Sequence, residues 1–233
     1  MRGLPPVRQL PLELAHPPGF SRDDLVVTNA NSKAVGLIDS WPQWPAPLVV
    51  LAGPAGSGKS HLAAIWRDLA GAAEINPKSI GEEEIRLAGQ APLLIDNADG
   101  GDLDENGLFH LINAVRGAQS HLLLTARRFP IAWGVRLPDL LSRLKAAAMV
   151  EIDEPDDMLL AGVITKLFAD RQVEVEPHVV QYVVRRIERS LSTAMMVVDR
   201  LDRVALERKA RITRALASDV IGAMDAGQGD LGF

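Results

Sequence analysis

The chain has 233 residues, 47% of them hydrophobic and 4% aromatic, and a formal net charge of −5 at pH 7. This length allows one large domain, or a medium and a small one, around a mostly aliphatic core. The lack of cysteine excludes disulfides and thiolate metal sites and favours a cytoplasmic location. The acidic charge argues against a protein whose main task is to bind bare phosphate backbones. We expect no membrane span and no signal peptide, because the sequence shows neither kind of apolar run.

The short segment RQLPLEL, residues 8–14, lies in a proline-rich N-terminal stretch. Its leucines, Leu10, Leu12 and Leu14, alternate, so an extended chain would point all three the same way. The neighbouring prolines keep the backbone extended and disfavour a helix. The segment is either a strand that covers the edge of the next domain or a peptide that docks in another protein's groove. Taken alone, its residues favour the strand.

Beyond this segment, strand and helix patterns alternate. Continuous apolar runs predict four buried strands, at 48–53, within 91–100, at 121–126 and at 149–153. Amphipathic spacing predicts helices over about 31–40, 59–70 and 106–117. This alternation indicates an α/β fold with a mainly parallel sheet flanked by helices. After Pro155 only helical patterns remain, at about 156–170, 177–188, 192–206 and 213–224, and they predict a small α-helical second domain.

The segment GPAGSGKS, residues 53–60, fits G-x-x-x-x-G-K-[ST] at every fixed position. It lies between a predicted strand and a predicted helix, which is the context that a phosphate-binding P-loop requires. Its glycines let backbone N–H groups turn towards phosphate oxygens. Lys59 would supply a positive charge for the β- and γ-phosphates, and Ser60 a hydroxyl for Mg²⁺. The sequence therefore predicts a nucleotide site.

A second carboxylate for the metal follows the next buried strand, in LLIDNAD. Asp96 occupies the position of the Walker B aspartate, and the residue after it is Asn97. An amide can hold water by hydrogen bonds but cannot accept a proton at neutral pH. Asp99 could replace the missing acid only if the loop bends back, which the sequence leaves open.

With both motifs placed, the chain resembles the AAA+ ATPases, within them the DnaA-related initiator clade, and most closely the Hda (HdaA) family of replication-initiation regulators. The order and spacing of several segments carry this resemblance: RQLPLEL, DDLVVTNAN, GPAGSGKSHLA, LLIDNAD, LLLTARRFP, LPDLLSRLKAA and ERSLSTAMMVVDRLD. It implies an AAA+ P-loop NTPase with three parts: an extended clamp-binding tail over 1–20, an αβα nucleotide-binding domain over 21–154 and a helical lid domain over 155–233. DnaA would continue into a DNA-binding domain, so we expect the ATPase module without the DNA reader.

The resemblance also implies the site residues. Arg143, in LLSRLKAA, matches the arginine finger that acts in trans on a neighbouring subunit, with Asp96 the second catalytic residue. Ser60 and Asp96 would bind the metal. The sequence leaves Arg189 or Ser192 for the sensor 2 position, and its TARR departs from the family's usual TSDR at sensor 1. The implied nucleotide-binding residues are Gly53, Pro54, Ala55, Gly56, Ser57, Gly58, Lys59, Ser60, His61, Thr125 and Arg189.

In the Hda family the tail docks on the β sliding clamp of DNA polymerase III, so the resemblance reverses the interpretation of RQLPLEL. The implied clamp-binding residues are Gln9, Leu10, Pro11, Leu12 and Leu14. The expected partners are the clamp, DnaA, DNA reached only through the clamp, and further copies of the chain through AAA+ interfaces; no membrane is expected. The expected cofactors are ADP or ATP with Mg²⁺.

Two hypotheses of function follow. In the first, the chain is a nucleotide-bound regulator that promotes ATP hydrolysis by DnaA and so prevents re-initiation. In the second, it is an autonomous ATPase or helicase loader that hydrolyses its own ATP. Asn97 favours the first and predicts weak intrinsic turnover. The basic run over 200–214 is interrupted by acidic residues and predicts a solvated helix face.

Overall fold

The computed structural model describes residue 22 and residues 25–229, with side chains as far as 226. The predicted clamp-binding tail over 1–20 lies outside the described residues. In the part described, the strands of a parallel sheet alternate with helices, and a group of four further helices follows the last strand. None of the described helices is long and apolar enough to cross a membrane.

All strand pairs of the described sheet are parallel, in the spatial order β2-β3-β4-β1-β5. The strands are β1 (Leu48–Ala52), β2 (Ala73–Glu74), β3 (Leu93–Ile95), β4 (Leu122–Ala126) and β5 (Ala148–Glu151). In the centre of the sheet, Val50 lies opposite Leu124 on one side and Met149 on the other. The four predicted strands are confirmed, and the two-residue β2 is an addition at the edge.

Five described helices accompany the sheet: α1 (Ser32–Asp39), α2 (Lys59–Ala70), α3 (Glu82–Leu87), α4 (Glu105–Gly117) and α5 (Pro138–Lys145). Alternate residues of β1 point to opposite faces of the sheet. Val50 packs with residues of α4 and α5, whereas Val49 and Leu51 pack with residues of α1 and α2. Both faces of the sheet are therefore covered, as its apolar strands require.

The four remaining described helices form a lid with its own apolar core: α6 (Asp157–Asp170), α7 (Pro177–Val184), α8 (Leu191–Arg208) and α9 (Arg214–Gly229). Side chains cap three of them: Asp156 accepts from the Leu159 N–H at the start of α6, Ser190 from the Thr193 N–H at the start of α8, and Thr213 from the Leu216 N–H at the start of α9. All four predicted lid helices are present, although α7 ends four residues earlier than predicted. The predicted α/β fold with a C-terminal helical lid is confirmed.

Candidate nucleotide-binding site

The P-loop connects β1 to α2 and is packed closely between the sheet and the lid. Gly56 has a φ of +71°, in the left-handed region that favours glycine. A Cβ at Gly56 would lie 2.1 Å from Ser190 Oγ. The Gly56 carbonyl accepts a 2.8 Å hydrogen bond from the Leu191 N–H. The lid helix α8 therefore begins directly on the P-loop.

Lys59 lies at the first position of α2, with its ammonium folded back over the loop. Its Nζ donates a 2.7 Å hydrogen bond to the Pro54 carbonyl. Burial lowers the pKa of Lys59 below its ordinary value; the Asp99 and Asp96 carboxylates raise it, and the Arg127 guanidinium lowers it. A partly buried cation beside the loop N–H groups is suited to bind phosphate oxygens.

The structure brings the two predicted metal-binding residues together. Ser60 Oγ donates to both carboxylate oxygens of Asp96, at 3.2 and 3.0 Å. Thr125, fully buried on β4, also donates its hydroxyl to Asp96. No group of three or more His, Cys, Asp or Glu side chains in the described part could hold a metal ion. Ser60 and Asp96 together supply few ligands, which fits Mg²⁺, since this ion takes most of its ligands from nucleotide phosphates and water.

The sequence left open whether Asp99 lies where it could replace the missing acid, and the hydrogen bonds of the loop after β3 show where its carboxylate lies. Both its oxygens accept from the Arg127 N–H, each at 3.0 Å, and one accepts from the Arg128 N–H at 3.1 Å. Asn97 is exposed in the left-handed region (φ 58°), and its N–H donates to Thr125 Oγ1 at 2.8 Å. Asp99 thus bends back, but its carboxylate anchors the backbone that follows β4.

A cavity of about 310 Å³ lies between the P-loop and the lid. Its loop side is formed by residues 56–61, which include His61, and its other side is largely apolar. That side is lined by Leu25 and Val26 before α1, and by Leu159, Val163, Leu191 and Met195 of the lid. An apolar cleft beside a phosphate-binding loop suits a nucleoside whose phosphates lie on the loop.

The two candidates for the sensor 2 position lie in different places. Ser192 lines the cavity. Arg189 is not among its lining residues: its guanidinium forms an ion pair with Asp157 at 3.0 Å and donates to the Pro155 carbonyl at 3.5 Å. In this conformation Arg189 therefore connects the segment between α7 and α8 to the start of α6, within the lid. Its role in nucleotide binding stays a prediction.

Arg143, on α5, is likewise absent from the residues that line the cavity. Its guanidinium carbon lies 4.7 Å from the centre of the Phe109 ring on α4. Its Nε is buried without a hydrogen-bond partner. The same face of α4 fixes the start of α5, because Glu105 accepts from the Arg136 and Leu137 N–H groups at 2.7 to 3.0 Å. α4 thus holds both the start of α5 and its arginine.

The sequence does not reveal the side chains that support these residues. Glu105 and Phe109 are four residues apart, so they share one face of α4, but the sequence does not show that α5 packs there. The contact of Ser190 with Gly56 joins distant segments. A serine before an apolar helical pattern is an N-cap signal, and it could have placed the start of α8.

The comparisons with known proteins agree with this geometry. A family model described as the lid domain of Hda matches residues 163–221. Domain III of the replication initiation protein DnaA from Thermotoga maritima superposes with a TM-score of 0.76 at 16% identity, over 88% of this chain and 97% of that one. AMPPCP-bound DnaA from Aquifex aeolicus gives 0.69 at 18% identity, over 82% and 68%. The RuvB Holliday junction branch migration motor of T. maritima gives 0.68 at 18% identity, over 87% and 71%.

The parallel sheet, the P-loop and the helical lid define the class of fold: the chain has the fold of AAA+ proteins. Within that class of fold, residues 163–221 match the lid domain of Hda, and the described chain is similar in structure to DnaA domain III.

Proposed function

We propose that the chain is a nucleotide-bound regulator that docks on the β sliding clamp and promotes ATP hydrolysis by DnaA, which prevents re-initiation of replication. Its own site would bind ADP or ATP with Mg²⁺ and would turn over slowly. DNA would be reached through the clamp, and further copies could assemble through AAA+ interfaces. The observation that carries the proposal is the combination of a complete phosphate cradle with an amide in place of the catalytic acid.

Nucleotide binding is supported by the cradle itself. Lys59, Ser60 and Asp96 lie at the ends of neighbouring elements, and the apolar cavity opens beside them. Lys59 would exchange the Pro54 carbonyl for phosphate oxygens, which are stronger acceptors because they are charged. Ser60 and Asp96 would hold Mg²⁺, and the ion would supply positive charge that offsets the charge of the phosphates.

Slow turnover is supported by the absence of a suitable base among the described residues after Asp96. Asn97 cannot accept a proton at neutral pH. Asp99 binds two consecutive backbone N–H groups. A carboxylate held in this way must break those bonds before it could activate water, so a positioning role suits it better.

Action on a partner is supported by Arg143. Its Nε is buried, and its terminal Nη groups have no hydrogen-bond partner in the described part of the chain and are not among the buried unpaired atoms there. They therefore reach solvent. A guanidinium presented by its Nη end can donate two parallel hydrogen bonds to a phosphate. We propose that this phosphate belongs to ATP on DnaA.

Clamp binding is supported only by the sequence of the tail, RQLPLEL, and by the relation to the Hda family. Gln9 would enter a polar pocket, and Leu10 and Leu12, with Leu14 beyond them, would fill an apolar cleft. Pro11 would keep the peptide extended and lower the entropy lost on binding.

The experiment measures ATP hydrolysis by the chain alone, by DnaA alone and by their mixture, each with and without clamp loaded on DNA. The proposal expects slow hydrolysis by the chain and by DnaA separately, and stimulation that needs the chain, DnaA and the loaded clamp. Fast hydrolysis by the chain alone, unchanged by DnaA and the clamp, would instead favour the autonomous ATPase.

A further inference from the structure

The lid carries a local excess of positive charge that the acidic net charge of the chain conceals. Residues 185–214 contain nine Lys and Arg against four Asp and Glu, a local charge of +5, whereas the whole chain has −5. Such asymmetry indicates an electrostatic surface more directly than net charge does.

The structure shows which of these charges are neutralised. Two of the acidic residues in this stretch, Asp199 and Asp202, bind Arg171, which follows α6, and not their basic neighbours. Two of the basic residues are paired, Arg189 with Asp157 and Arg208 with Asp219. The other seven have no ion pair within the described part of the chain: Arg185, Arg186, Arg200, Arg203, Lys209, Arg211 and Arg214.

Two of the unpaired arginines are fixed by the only tyrosine in the sequence. The guanidinium carbon of Arg186 lies 5.4 Å from the centre of the Tyr182 ring, and that of Arg214 lies 4.9 Å from it. Tyr182 lies in the last turn of α7, Arg186 lies two residues beyond the end of that helix, and Arg214 begins α9. The ring therefore joins a cation just after α7 to one at the start of α9, and the sequence separates these two arginines by 28 positions.

A contact with an aromatic ring leaves the guanidinium donors available. An arginine in an ion pair uses its N–H groups on the carboxylate, whereas an arginine over a ring is attracted through its π face. Arg186 and Arg214 are thus positioned and still able to donate hydrogen bonds. The exposed Arg185 and Arg211 extend the cluster along the chain. We call these four arginines with Tyr182 the lid basic surface.

We propose that the lid basic surface binds the phosphate backbone of duplex DNA directly, in addition to any contact made through a clamp. Several exposed cations at the end of α7 and around the start of α9 suit a polymer of phosphates. Because guanidiniums lie against the Tyr182 ring, the ring is a poor platform for stacking on an unpaired base. The surface should therefore prefer duplex to single strands and show no sequence preference. This proposal does not depend on the proposed function.

The test measures binding of the full chain to a fluorescent 30-base-pair duplex by anisotropy over a series of salt concentrations, with neither clamp nor DnaA present. Four arginines that contact phosphates predict a slope of log K against log salt of about −3 to −4. The double variant Arg186→Ala/Arg214→Ala should reduce that slope by about 2. Tyr182→Leu keeps every charge but releases both guanidiniums. It should weaken binding to the duplex, with a smaller change of slope than the double arginine variant shows.

The matched control is Arg200→Ala/Arg203→Ala, which removes the same charge from exposed, unpaired arginines of α8 that contact no ring. A smaller loss of duplex affinity in the control than in the Arg186→Ala/Arg214→Ala variant supports the proposal. An equal loss of affinity in both overturns it, because it would mean that DNA responds to the overall positive charge of the lid and not to this surface. Absence of salt-dependent duplex binding, tighter binding to a single strand, or equal binding to poly-glutamate would also overturn it. Thermal unfolding checks that each variant is folded.

Discussion

A methyl group at Gly56 would test the contact between the P-loop and the lid. In Gly56→Ala the new Cβ would lie 2.1 Å from Ser190 Oγ and 2.9 Å from Ser190 Cβ, far inside contact distance. Rotation of the Ser190 side chain would move only its Oγ and would leave its Cβ at 2.9 Å and its Cα at 3.2 Å from the new methyl group. The start of α8 must therefore move away from the loop, and its bond from the Leu191 N–H to the Gly56 carbonyl should weaken.

The loss of folding stability expected for Gly56→Ala has two parts. A φ of +71° is strained for alanine, by about 1–2 kcal/mol, and overpacking costs about 1–3 kcal/mol. Gly71→Ala isolates the first part, because Gly71 has a φ of +62° and no atom within 4 Å of the added Cβ. In both variants the lower entropy of the unfolded alanine chain offsets about 0.4–1 kcal/mol. Gly56→Ala should therefore lose about 1–3 kcal/mol more stability than Gly71→Ala.

The assay is urea unfolding of both variants, each also made in a Ser190→Gly background. Glycine removes the two side-chain atoms nearest the new methyl group and costs only about a few tenths of a kcal/mol as an N-cap. The double-mutant cycle should give a coupling of about 1–3 kcal/mol between positions 56 and 190, and none between positions 71 and 190. ADP affinity should fall in Gly56→Ala. Equal losses for the two alanine variants, or no coupling at Ser190, would refute the packing of α8 on the P-loop.

Three other predictions concern the nucleotide site, the α4–α5 contact and the tail. Lys59→Ala should remove most of the rise in melting temperature that ADP gives, because a bound ligand stabilises only the folded state; an equal rise in both proteins would contradict the site. Phe109→Leu should reduce stimulation of DnaA severalfold and leave ADP affinity unchanged, with Phe109→Tyr restoring it, because the ring orients the Arg143 guanidinium; unchanged stimulation in the leucine variant would show that the ring is not needed. Gln9→Ala with Leu12→Ala should abolish clamp binding in a pull-down and leave ADP affinity intact, and retained binding would exclude the tail as the clamp contact.

The elements that the sequence predicted well are those whose signal is local. The P-loop motif fixes residue types at fixed spacing, and continuous apolar runs mark β1 and β4 because buried parallel strands have no polar face. The two-residue β2 and the six-residue α3 are too short to produce a periodic pattern. Their existence depends on contacts with the rest of the sheet domain, such as the pairing of Ala73 with Leu93.

The supports of the candidate site were harder to predict because they join distant positions. The sequence placed Asp99 near Asp96, the predicted metal ligand, but could not show that the Asp99 carboxylate binds the Arg127 and Arg128 N–H groups, 28 and 29 residues away. For the same reason it could not choose between Arg189 and Ser192, since the end of α7 and the start of α8 decide which one faces the cavity. Side-chain direction at a helix start changes with each residue of register.

The most direct test of the account is a single-turnover assay of DnaA pre-bound to labelled ATP, with clamp loaded on DNA and the chain carrying unlabelled ADP. Only hydrolysis in the partner's site can then release label. With wild-type chain the account predicts rapid release, and with Arg143→Ala a loss on the order of 10³-fold or more, because that is the usual contribution of an arginine finger. Arg143→Lys should not restore the rate, since an ammonium lacks two parallel donors. Near wild-type release with Arg143→Ala, in a variant that still binds ADP and clamp, would contradict the account.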